Sequence, residues 1–206
     1  MDYGTLKTTL ASYLHRDDLT ATIPTFITLA QARMSHDLDL TSMHAVDTLT
    51  VTAATNEVTL PVDFLEMLSL RIPDEGGYRL LQQRSLAGNS QVLDNGGATG
   101  EPVFYARYGN VIELTPVPSA STTLNIIYKK RFTAFSLDAD TDDVLTYTPN
   151  IYIYGAMLEA MPFLKDANAP WQEMYMGEVS RLNDLAYNSQ WSGGPMQITN
   201  LGTDTP

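Results

Sequence analysis

The stretch TPNIYIYGAMLEAMPFLKDANAPWQEMYMGEVSRLNDLAYNSQ, Thr148 to Gln190, decides how the rest of the chain must be organised. It reads as two helices joined by a polar turn at Lys165-Asp166-Ala167-Asn168. Thr148 is placed to cap the first helix, with Pro149 at its first position, where a missing N–H costs nothing. Ile151, Tyr154, Leu158 and Met161 share one face, and Ile153, Met157, Ala160 and Leu164 the next. Only Glu159 interrupts the apolar run, so this helix must be enclosed by other elements. Pro162 cannot donate to the carbonyl of Leu158, which predicts a kink or an early end. Asn168 and Pro170 mark the start of the second helix, whose stripe is Trp171, Tyr175, Val179, Leu182 and Ala186. A short turn between two apolar faces makes the pair an antiparallel hairpin.

Two more helices precede it. Asp2 to Leu14 places Leu6, Leu10, Tyr13 and Leu14 on one face, and Ile23 to Leu38 carries the stripe Ile27, Ala30, Met34 and Leu38. The simplest arrangement packs all four helices together.

The middle of the chain is β in character. Ala45 to Val51 (AVDTLTV) is rich in Val and Thr, and Glu57 to Leu60 follows a turn at 54–56. Val62 to Leu65 reads as a helical turn leading into a strand from Met67 to Ile72, with Arg79 to Leu81 returning across Pro73–Gly77. Ser85 to Val92 suits a short helix. Val103–Tyr108, Asn110–Thr115 and Thr122–Lys130 are expected to form a three-stranded meander. The fold class this predicts is α+β. A helical bundle domain comes from residues 1–44 and 148–190, with an antiparallel β domain inserted at 45–147. An extended C-terminal arm covers 191–206.

The arm, WSGGPMQITNLGTDTP, has two glycines and a proline after the helix and no helical stripe. Met196, Ile198 and Leu201 are spaced as in an extended segment. On composition it is a frayed end, or one ordered only by lying on another surface.

At 206 residues and 44% hydrophobic, the chain can bury a sizeable core. It has no cysteine, which rules out disulfides and thiolate sites. The opening MDYGTLKTTL lacks the features of a signal peptide, and no run approaches transmembrane length. With 24 acidic and 12 basic residues the formal charge is −12, a poor balance for gripping phosphates. The local exception is Lys129-Lys130-Arg131, for which a solvated strand end is the plainer reading.

Motifs for chemistry are sparse. Gly76-Gly77 and Gly96-Gly97 lack the lysine and the strand–helix setting of a phosphate loop. His15, His36 and His44 show no metal-ligand spacing. Asp138 to Asp143 alternates acids as a calcium loop does, but its sixth residue is Asp143 where glycine belongs and its twelfth is Pro149 where glutamate belongs. No cofactor, metal site or catalytic residue set is therefore expected. Asp63 and Glu66 are the carboxylate pair a hydrolase reading would use.

Three segments carry a resemblance. YGTLKTTLASYLHRDDL with Phe26 and Ala32-Arg33, LPVDFLE at Leu60 to Glu66, and YIYGAMLEAMPFLKD at Tyr152 to Asp166 together resemble the head-to-tail adaptor proteins of tailed bacteriophages, including the tail tubular protein A type. That resemblance implies a structural, non-enzymatic virion protein, assembled in the host cytoplasm. It implies a ring, twelve-fold to match the portal, that joins portal to tail or nozzle proteins and leaves a channel for DNA that is not bound specifically. It also implies that the C-terminal arm docks on the portal, through Trp191, Pro195, Met196, Ile198 and Leu201. Some adaptor-like proteins are credited with lysis, so the alternative is a virion-associated peptidoglycan hydrolase acting through Asp63 and Glu66.

Overall fold

Asp2 starts the first helix by accepting the Thr5 N–H at 2.8 Å, and His15 ends it in a left-handed conformation at φ 49°. The computed structural model describes residues 1–15, 17–94, 99–164 and 170–191. In chain order the elements begin with α1 (Tyr3–Leu14), α2 (Ile23–Asp37), β1 (His44–Val51), β2 (Glu57–Thr59) and β3 (Phe64–Asp74). Then come β4 (Gly77–Leu80), β5 (Gln82–Gln83), α3 (Leu86–Asp94), β6 (Thr99–Gly100), β7 (Phe104–Tyr108) and β8 (Val111–Thr115). The chain continues with β9 (Val117–Pro118), β10 (Thr122–Lys130), α4 (Asp143–Tyr147), α5 (Pro149–Leu164) and α6 (Trp171–Trp191). It divides into two compact units, Met1–Thr41 with Ala134–Pro206, and Ser42–Thr133.

The first unit is built around α5, which packs against α1, α2, α4 and α6. Its buried residues, among them Ile151, Tyr152, Ile153, Ala156 and Met157, fall on all sides, as an apolar helix requires. Glu159, the break in that pattern, pairs with Arg33 of α2 at 2.6 Å. Gly155 is packed between two helices: a Cβ there would lie 3.2 Å from the Ala30 Cβ and 3.4 Å from the Tyr175 ring. Pro162 does not end the helix, which runs on to Leu164 and places it in the last turn. Thr148 does not cap α5 with its side chain. Its hydroxyl turns back to the Val144 carbonyl at 3.0 Å, because a short helix, α4, precedes it.

The second unit places its core between two sheets. One has the order β1-β10-β3-β4 and is antiparallel throughout; the other has the order β2-β8-β7-β5. Val51, Leu70, Ile72, Leu124 and Ile126 from the first meet Val58, Tyr105, Ile112 and Leu114 from the second. Helix α3 packs on β7 and β8, where Asn89 donates to the Glu113 carboxylate at 2.9 Å.

This overturns the expectation of a helical bundle with an inserted antiparallel β region. The fold is mixed α/β, with six α-helices and three sheets among the described residues. The β5–β7 and β6–β9 pairs are parallel, and α3 belongs to the β-rich unit. The meander fails at its third strand: β7 and β8 form a hairpin, but β10 crosses to the other sheet and lies between β1 and β3. Pro116 and Pro118 supply no N–H, so a ladder cannot run on through that connection. The helical turn at 62–65 is also replaced, since β3 begins at Phe64. Its pairing with β10 skips Leu65 and Leu68, two bulges that bring Phe64, Met67, Leu70 and Ile72 to the core at uneven spacing.

Candidate functional site

Asp63 and Glu66 are not brought together as a catalytic pair. Asp63 accepts the Tyr128 hydroxyl at 2.9 Å, and its backbone carbonyl accepts the Arg131 N–H. Burial, and then that carboxylate, push the Tyr128 phenol up to about 12. Glu66 is exposed on β3, opposite Lys129 of β10. A cleft of about 230 Å³ in the same unit contains a single carboxylate, Glu101, which is tied to Arg79 at 2.8 Å. The basic triad is divided as well: Lys129 is 6% exposed, while Lys130 and Arg131 are open to solvent.

The acidic loop 138–143 serves the helices. Asp138 pairs with Lys7 at 2.6 Å, and the carbonyls of Asp138 and Asp140 accept the N–H groups of Gly4 and Tyr3. The N–H groups of Leu137 and Ser136 hold the Asp140 carboxyl below its usual range. Among the described residues no three His, Cys, Asp or Glu side chains gather as a metal site.

Two tyrosine–aspartate pairs escaped the sequence reading. Asp142 caps α4 through the Leu145 N–H at 2.7 Å and also accepts the Tyr152 hydroxyl. Tyr175 of α6 donates to Asp37 at 2.9 Å, where Asn183 also bridges the Asp37 carbonyl and the Asp39 N–H. Burial raises both phenols, and the paired carboxylates add to it. A cap preference at Asp142 was legible; its partner ten residues on was not.

Burial pushes the Asp142 carboxyl up, against the hydrogen bonds that pull it down. Its folded pKa therefore lies above the unfolded one. The native state takes up the proton first, and stability falls as pH rises through that window. Asp142→Asn keeps a capping oxygen and is expected to remove that contribution to the pH dependence of thermal melts above the ordinary aspartate range. Asp142→Ala should cost about 2–4 kcal/mol, from a lost cap and the loss of the carboxylate that accepts the Tyr152 hydroxyl. Equal melting points for the two variants would contradict this assignment.

Of the arm residues, Trp191 is the last residue of α6; Pro195, Met196, Ile198 and Leu201 lie outside the described residues. The large exposed apolar side chains in the β-rich unit include Val46 on β1 and Tyr78 and Leu80 on β4, which are the two edge strands of one sheet. The sequence reading passed over them, although AVDTLTV showed a β-branched run with a single charge, Asp47.

A protein-family model described as SU10 adaptor protein matches residues 1–199. That match, across both units, defines the class as a bacteriophage adaptor, structural rather than catalytic. The chain belongs to the SU10 adaptor protein family. The family assigns a head-to-tail role in the virion, among portal and tail proteins. Compared with the curated proteins, the chain has no match. No described helix is long and apolar enough to cross a membrane.

Proposed function

We propose that the protein forms a ring of twelve copies beneath the portal, of the tail tubular protein A kind, joining it to the tail or nozzle and leaving a channel for DNA. The family match over 1–199 carries this reading. Charge distribution supports the channel. The helical unit holds 15 acidic and 5 basic residues, net −10, and the β-rich unit 9 and 7, net −2. A wall of that sign repels phosphates, so DNA slides without specific binding.

The arm from Trp191 onward docks on the portal, with Trp191, Pro195, Met196, Ile198 and Leu201 as its contacts. Copies meet the portal after release into the host cytoplasm. Electron micrographs of the protein mixed with its portal test this directly. The expected result is a ring under each portal vertex and a monomer by light scattering when portal is left out. A stable dodecamer without portal would refute assembly on the portal; no ring with it would refute the ring.

A further inference from the structure

We infer that neighbouring copies in the ring join edge to edge, β4 of one copy adding β1 of the next, so that one antiparallel sheet runs from copy to copy. The inference rests on the ring proposed above and names the surface that closes it.

Strand direction makes the join possible. In the order β1-β10-β3-β4 every neighbour is antiparallel, so β1 and β3 run one way and β10 and β4 the other. A second copy placed beside β4 in the same orientation presents β1 antiparallel to it. Such a contact uses two different surfaces and repeats, which is what a cyclic ring needs and a two-fold dimer does not.

Neither edge is interrupted by a proline, and each carries one charged residue, Asp47 on β1 and Arg79 on β4. β1 pairs with β10 at all eight positions without a bulge, and it holds no Lys, Arg or Pro. Val46 is 67% exposed, and Tyr78 and Leu80 are 60% and 62% exposed. The unit that carries both edges is nearly neutral, so copies meet through it without the repulsion the helical unit would bring.

The free backbone groups select a register. Leu81 donates its N–H to Leu70 at 2.9 Å, so alternation turns the N–H and C=O of Leu80 and Tyr78 away from β3. On β1 the Thr48 N–H goes to the Asp47 carboxylate at 2.7 Å and not to β10, so Val46, Thr48 and Thr50 have their groups on the open edge. Leu80 opposite Val46 pairs the groups of both residues, and Tyr78 opposite Thr48 does the same once the Thr48 N–H leaves the Asp47 carboxylate. This register also sets Arg79, which Glu101 holds at 2.8 Å and Asp74 at 3.4 Å within its own copy, opposite Asp47 on the other face, so that Asp47 joins an existing charge cluster. A one-residue slip turns the free groups away from each other. A two-residue slip puts Arg79 against Leu49 or Ala45.

The chain contains no cysteine, so any disulfide between its copies forms through the introduced thiols. The test uses full-length Val46→Cys and Leu80→Cys, each assembled with portal and oxidised mildly. Facing residues in this register have Cα atoms about 5.5 Å apart, within disulfide range. An equimolar mixture of the two should give covalent dimers as the main product on a non-reducing gel, and neither variant alone should. The double variant should give a ladder of higher oligomers. Rings seen in micrographs without cross-linking in the mixture would overturn the edge contact and leave the ring reading standing. Dimers from Val46→Cys alone would overturn it in favour of a two-fold contact. Absence of rings would remove both.

Discussion

Removal of residues 192–206 is expected to abolish stable attachment to the portal while leaving the far-ultraviolet circular dichroism of the protein unchanged. The sequence supplies the reasons. Gly193-Gly194 allows backbone angles closed to other residues, and Pro195 then favours an extended course. Met196, Ile198 and Leu201 offer apolar anchors on a segment almost free of charge. An extended segment of this kind can lie along a neighbour and share its backbone hydrogen bonds. Ordering it costs about 1–2 kcal/mol per residue, more than three anchors offset in a single copy. A ring changes that balance, because each bound arm raises the effective concentration of the next. Co-sedimentation of full-length and truncated protein with portal measures the effect. Equal retention of the two would return the arm to the status of a frayed end.

Gly155→Leu should cost about 3 kcal/mol or more and lower the melting temperature by many degrees, the largest effect expected of a single substitution. The site has no spare volume. Even a Cβ would press on Ala30 of α2 and on the Tyr175 ring of α6, and a leucine adds three further carbons between them. Relief would require α2 or α6 to move away from α5. That would strain the Arg33–Glu159 pair and the Tyr175–Asp37 bond at the same time. Gly177, on α6 with nothing within 4 Å of its missing Cβ, is the control. Gly177→Ala should be neutral or stabilising, since alanine is the better helix former. A Gly155→Leu variant that melts with the parent would show that these helices pack less closely than described.

The four long helices were legible because their apolar residues recur every three or four positions, as Leu6, Leu10 and Leu14 do in α1. The sheets were less so, for identifiable reasons. β3 was read only from Met67 to Ile72; its two bulges space the core residues Phe64, Met67 and Leu70 three apart, so the start of the strand does not show the period of two. β5, β6 and β9 are two residues long, too short for any periodicity. β10 looked like a hairpin partner of β8 because it comes next, and sequence proximity carries no information about which sheet a strand joins. The fold class was misjudged on that account. The carboxylate pair Asp63 and Glu66 was a composition effect, and the structure gives each a separate neighbour. Edge residues such as Val46 and Leu80 cannot be recognised until the strand order is known.

The division of the helical unit between two distant segments bears on how the protein acquires its shape during synthesis. The Arg33–Glu159 bridge closes a separation of 126 residues, and Tyr175–Asp37 one of 138. α1 and α2 leave the ribosome with their apolar faces bare and stay so until α5 and α6 are made. The β-rich unit is contiguous and closes shorter loops, at lower entropic cost, so it is placed to fold while the helices wait. The two early helices are then the surface most in need of protection by chaperones, and the segment of the chain where truncated translation products would aggregate.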